Sequence, residues 1–139
     1  MHDALPRDLA ALILGQAVDA VIYADREGVI RLWNAAAEQV FGFSSEEAIG
    51  SSLDLIIPER LRDGHWKGYR AAVSSGTTRL GGRATLTKGL HKRGASVYVE
   101  MSFSLVKDHA NEVVGSVAIA REVSGKLAKT GGPESVSAS

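Results

Sequence analysis

The sequence of 139 residues contains no cysteine. Without cysteine the chain forms no disulfide and offers no thiolate nucleophile and no iron–sulfur ligand. Its sixteen basic and sixteen acidic residues cancel, so net charge favours binding to neither nucleic acid nor anionic lipid. No apolar run is long enough for a membrane helix, and the N-terminus lacks the pattern of a secretory signal. We therefore expect one cytoplasmic domain with no nucleic-acid or membrane partner.

The sequence also lacks the patterns of an active site. Its serines fall in predicted caps, turns and the C-terminal tail, without a base and an orienting acid nearby. Gly76, Gly81 and Gly82 are not followed by the lysine and helix of a phosphate-binding loop. We expect no catalytic activity.

Local signals predict an α+β fold with five antiparallel strands and the helices on one face of the sheet. Asn34 is expected to cap a helix, and Ser44 and Glu47 have the spacing of a capping box. The predicted order is a helix at 6–16, strands at 19–24 and 29–33, helices at 35–41 and from 45, a helix containing His65, and strands at 77–90, 96–106 and 113–123.

Composition divides the chain into three parts: an amphipathic flanking helix at 1–16, a globular domain at 17–124 and a disordered tail at 125–139. Within the domain, residues 96–106 alternate strictly between apolar and polar side chains. The apolar face is expected to point toward the helices. It consists of Val97, Val99, Met101, Phe103 and Leu105.

His65 lies on the apolar side of its predicted helix. Steps of three and four residues align it with Leu61, Gly68, Tyr69 and Ala72. A neutral imidazole that faces a dry cavity is a common ligand for a metal cofactor such as haem, and Gly68 leaves a gap one turn away. The other interpretation is a half-buried histidine that is hydrogen-bonded to a backbone carbonyl.

Residues 25–50 closely resemble a PAS domain of the S-box type. Residues 92–94 resemble the late hairpin of that family, which usually has aspartate where this chain has Arg93, and 120–124 resemble its closing strand. The resemblance covers about 17–124 and implies the PAS fold; PAS domains bind haem, flavins, small acids or no ligand. The matching elements are the turn 25–28, Trp33-Asn34, Phe41-Gly42-Phe43 and Glu47-Ala48-Ile49-Gly50.

The segment from Ile57 to Gly76 is similar to the haem-binding helix of oxygen-sensing FixL-type kinases. This resemblance implies that His65 is the proximal ligand of a haem b iron. CO-responsive haem PAS regulators also carry a histidine on this helix. PAS subfamilies that form a covalent flavin adduct need a cysteine, so no flavin adduct is expected here.

The same resemblance implies the residues on the other side of the haem. In FixL-type sensors an arginine on the following strand meets the bound gas. Here Thr85 takes that position, and Arg83 lies two residues earlier, on the same strand face if no bulge intervenes. Trp66 is expected either to cover a porphyrin edge or to pack between helix and sheet. The expected cofactor-binding set is His65, Trp66, Tyr69, Leu80, Arg83, Thr85, Met101 and Phe103.

Two functions follow from these observations. The first is a haem sensor that responds to a diatomic gas or to redox state and signals to a separate kinase or transcription regulator. The second is an interaction module that binds no ligand or a small metabolite. In either case we expect a homodimer, because flanking helices often pair PAS protomers. The apolar side of this helix carries Leu5, Leu9, Leu12 and Ile13.

Overall fold

The computed structural model describes residues 4–123 of the chain. Two 3₁₀ turns, Leu53–Ile56 and Glu59–Leu61, lie just before the helix that contains His65. No helix in the described part is long and apolar enough to cross a bilayer. The predicted tail at 125–139 lies outside the described residues. The elements are α1 (Leu9–Gln16), β1 (Ala20–Asp25), β2 (Ile30–Trp33), α2 (Ala35–Phe41), α3 (Ser45–Ala48), α4 (Arg62–Ser75), β3 (Thr85–Leu90), β4 (Ser96–Lys107) and β5 (Val113–Glu122).

The five strands form one antiparallel sheet in the order β2-β1-β5-β4-β3, which confirms the predicted α+β class. Strands β1 and β5 are neighbours although they come from opposite ends of the chain. Ala20 pairs with Ala120, and the Arg121 guanidinium contacts the Asp19 carboxylate at 2.9 Å beside them. The start of β1 and the end of β5 therefore lie side by side.

The alternation in β4 has the predicted register. Val97, Val99 and Phe103 are buried in the core, whereas Glu100 and Ser104 are exposed. Met101 and Leu105 are partly buried and pack against the same core. Because a slip of one residue would reverse both faces, this burial pattern confirms the predicted orientation of the strand.

Asn34 joins three elements through its side chain. Its Oδ1 accepts hydrogen bonds from Val21 N (2.9 Å) and Ala37 N (3.0 Å). Its Nδ2 donates to Leu14 O (2.8 Å) and Asp19 O (3.1 Å). The predicted cap of α2 is thus confirmed, and the same side chain also holds the end of α1 and the start of β1.

The predicted strand at 77–90 is wrong in its first half, because β3 begins only at Thr85. Gly81 and Gly82 have φ angles of +60° and +83°, which an extended strand does not contain. The residues before Thr85 form turns instead, with a hydrogen bond from Arg83 N to Leu80 O of 3.1 Å.

The N-terminal helix is shorter than predicted. It begins at Leu9 rather than at Pro6, since residues 7–8 form a turn. Its apolar side chains Leu12 and Ile13 are exposed in the monomer, as is Leu5 before the helix. The homodimer contact assigned to this side stays a prediction.

Candidate functional site

A cavity of about 50 Å³ lies between the sheet and the segment that runs from α3 into α4. Most of its wall is apolar, and its polar side chains include those of His65, Thr87 and Ser116. The residues that line it are Ile22, Ala24, Phe41, Leu53, Ile56, Ile57, Leu61, His65, Thr87, Lys88, Gly89, Val99, Met101, Phe103, Ser116 and Ala118.

Contacts near its start hold α4 in place. The Arg62 guanidinium donates to Ile57 O (3.0 Å) and to Asp54 O (3.2 Å), two carbonyls of the preceding segment. The Trp66 indole donates to Asp54 Oδ1 at 2.7 Å. With this end held, the helical period turns His65 and Tyr69 inward, and both are buried.

His65 is a neutral imidazole at pH 7. Its side chain is 6 % exposed, and Nδ1 is buried without a hydrogen-bond partner. Burial lowers its pKa from 6.5 to about 4, although the nearby Asp54 charge opposes this change. Neither interpretation made from the sequence included this unpaired nitrogen: the histidine is more buried than expected, and its Nδ1 bonds no carbonyl.

Trp66 and Tyr69 are not among the residues that line the cavity. The Trp66 ring covers Gly28 in the β1–β2 turn so closely that a side chain there would collide with it. Tyr69 donates to Asp25 O at 2.7 Å and lies 2.9 Å from Ser116 Oγ; burial raises its pKa. Both residues therefore fasten α4 to the sheet, and neither lines the cavity.

Three of the eight expected cofactor-binding residues line the cavity: His65, Met101 and Phe103. Leu80 packs against the edge of the core, while Arg83 is exposed and its Nε donates to Leu80 O at 3.2 Å. Arg83 does not share a strand face with Thr85, because it precedes β3.

Sequence reasoning missed the polar residue of β3 that does line the cavity. Thr87 is 5 % exposed and pairs with Val99 of β4. It lies two residues beyond Thr85, on the same face of the strand, so correct alternation from Thr85 would have indicated it. On β5, small inward residues at Ser116 and Ala118 leave the space that forms the cavity.

The donor chemistry of this site fits a haem iron. A neutral, desolvated imidazole with an unpaired nitrogen would suit a haem iron as a ligand, and an apolar wall would suit a porphyrin. Residues 4–123 contain no group of three or more His, Cys, Asp or Glu side chains that could hold a metal ion alone. The cavity is smaller than ligand pockets of roughly 300–1,000 Å³, so a porphyrin would fit only if the cavity became larger.

Comparison with known proteins agrees with the fold. Residues 14–127 match the protein family described as PAS fold. The oxygen sensor protein DosP of Escherichia coli K12 is 30% identical over 100 residues, which is 72% of this chain and 12% of DosP. The sensor protein FixL of Bradyrhizobium diazoefficiens is 43% identical over 53 residues, 38% of this chain and 10% of FixL.

Among solved structures, the PAS domain of a Colwellia psychrerythraea protein superposes with a TM-score of 0.73. It is 23% identical, and the match covers 85% of this chain and 97% of that one. This likeness shows the fold. The matched regions span about a tenth of the length of the curated relatives.

Proposed function

Because this chain belongs to the PAS family, we propose that it is a sensory domain that binds haem b through His65. The observation that carries the proposal is the neutral, buried imidazole with an unpaired nitrogen at an apolar cavity. The similarity to an oxygen sensor protein supports a diatomic gas as the signal. The redox state of the haem iron is the alternative signal.

In this proposal His65, Met101 and Phe103 have separate roles. His65 would hold the iron, which supplies a coordination position for a gas when haem is bound. Met101 and Phe103 would cover the sheet side and exclude water. A ligating histidine must be neutral, and the lowered pKa of His65 keeps it so across the physiological range.

Helix α4 also connects the site to the rest of the domain. Tyr69, one turn after His65, is hydrogen-bonded to the β1–β2 turn at Asp25 and lies beside Ser116 of β5. If α4 were displaced, these contacts of Tyr69 would pass the displacement to two strands of the sheet. We propose that a kinase or transcription regulator reads that change, as a separate partner or as another part of a longer chain.

The proposal is tested by the Soret absorption of the purified chain after incubation with haem. We expect stoichiometric binding in the wild type and its loss in His65→Ala, with free imidazole restoring part of it. His109→Ala is the matched control, because His109 is exposed in the β4–β5 turn. Circular dichroism checks that the fold is retained. Full haem occupancy in His65→Ala would contradict the assignment.

The second candidate function is an interaction module without haem, with an empty cavity or a small metabolite in it. The small volume of the cavity favours it. In that case the wild-type protein takes up no haem, and native mass spectrometry of the purified chain shows either the bare mass or a small adduct.

A further inference from the structure

Two hydroxyl groups meet at the wall of the cavity, one on α4 and one on β5. Tyr69 and Ser116 are 1% and 3% exposed. The phenol oxygen lies 2.7 Å from the Asp25 carbonyl oxygen and 2.9 Å from Ser116 Oγ. Within residues 4–123, Ser116 Oγ has no other hydrogen-bond partner, and Ser116 itself lines the cavity.

The number of protons decides the direction of both bonds. A phenol carries one proton, and a backbone carbonyl only accepts. If Tyr69 donated to Ser116, two acceptor oxygens would face each other at 2.7 Å with no proton between them, which is repulsive. Tyr69 therefore donates to Asp25, and Ser116 donates to Tyr69. The serine has then used its only proton.

We propose that Ser116 presents only lone pairs to the cavity, so that this part of the wall selects a small ligand with an O–H or N–H group. A ligand that only accepts hydrogen bonds, such as a diatomic gas, finds no donor at Ser116. Tyr69 sets this preference without touching the ligand, which makes it a positioning residue. Ser116 is the residue that determines specificity.

Deletion of a hydroxyl usually removes a hydrogen-bond donor, but here deletion of the Tyr69 hydroxyl should add a donor to the cavity wall. In Tyr69→Phe, Ser116 loses its acceptor and its proton turns toward the cavity. The variant therefore gains a donor in the wall where the wild type has an acceptor. Ser116→Ala has neither group.

The first test uses the haem-loaded protein with carbon monoxide and rests on the proposed function. A donor near the CO oxygen lowers the C–O stretching frequency by favouring electron flow from iron into CO, and a lone pair raises it. We expect the highest frequency in the wild type, an intermediate one in Ser116→Ala and the lowest in Tyr69→Phe. The double variant should match Ser116→Ala, and Ser104→Ala, at an exposed position of β4, should match the wild type. Equal or reversed frequencies would overturn the proposal.

The second test uses the haem-free protein and therefore separates this inference from haem binding. The ¹³C shift of the Asp25 carbonyl reports the hydrogen bond from Tyr69. It should move upfield in Tyr69→Phe and stay in place in Ser116→Ala. If Tyr69 instead donates to Ser116, deletion of the serine hydroxyl frees the phenol proton for Asp25 and moves the shift downfield. That result would reject the proposed bond directions, whereas a missing Soret band rejects only the haem assignment.

Discussion

Replacement of Asn34 by alanine tests the connection that positions α1, β1 and α2. The variant loses a helix cap at Ala37, which typically costs about 1 kcal/mol. It also leaves the buried Val21 N–H without a partner, at a cost of about 2 kcal/mol. The carbonyls of Leu14 and Asp19 are at partly buried bonds, where water replaces the lost donor at little cost. The free energy of unfolding should therefore fall by about 3 kcal/mol.

Urea and thermal unfolding measure this loss. For a domain of this size 1 kcal/mol corresponds to about 4 °C, so the Tm of Asn34→Ala should fall by about 12 °C while the urea m-value stays unchanged. Ser44→Ala is the matched control, because it removes an N-cap bond at an exposed site and should cost about 1 kcal/mol. Equal losses in the two variants would show that the buried bonds of Asn34 contribute nothing beyond the cap.

Three further predictions follow. The haem-free protein should lose stability as pH falls from about 6.5 to 4. In this range the unfolded chain binds a proton at the ordinary histidine pKa, whereas burial lowers the pKa of His65 in the folded chain to about 4. If the free energy of urea unfolding depended on pH equally in the wild type and in His65→Leu, this explanation would be wrong. Gly89→Ala places a methyl group 2.9 Å from the Phe41 ring at the cavity wall, so it should cost about 1–3 kcal/mol of stability and reduce haem uptake. Gly64→Ala has open space around it and should stabilise α4 by up to about 1 kcal/mol. Similar Tm values for the two variants would refute the packing argument. Sedimentation should show a homodimer that dissociates when residues 1–14 are deleted, and a wild-type monomer at high concentration would exclude it.

Features encoded by neighbouring residues were predictable from the sequence. The cap at Asn34 and the capping box of Ser44 and Glu47 depend on side chains within three or four positions, and the structure contains both. The register of β4 followed from its alternation, since one face of that strand must be buried. The start of β3 was missed because threonine and leucine near residue 80 resemble a strand, while the backbone at Gly82 takes a left-handed conformation.

The far wall of the cavity could not be predicted in the same way. Ser116 and Tyr69 are 47 positions apart in the sequence. From the sequence alone, Ser116 cannot be distinguished from a serine on the exposed face of a strand. Packing between helix and sheet was one of the two roles expected of Trp66, but its contact with Gly28 was not predictable, because it depends on the absence of a side chain at Gly28. Such contacts are set by strand order and by how α4 lies on the sheet, which no local pattern specifies.

The adjacency of β1 and β5 has a consequence for the architecture of any larger protein that contains this domain. Since the backbone enters beside Ala20 and leaves beside Ala120, the domain interrupts a host chain at nearly a single point in space. Such a domain can be inserted into a surface loop of another domain without moving the two ends of that loop apart. The same geometry permits a circular permutant in which the start of β1 is linked to the end of β5 and new ends open at the β4–β5 turn.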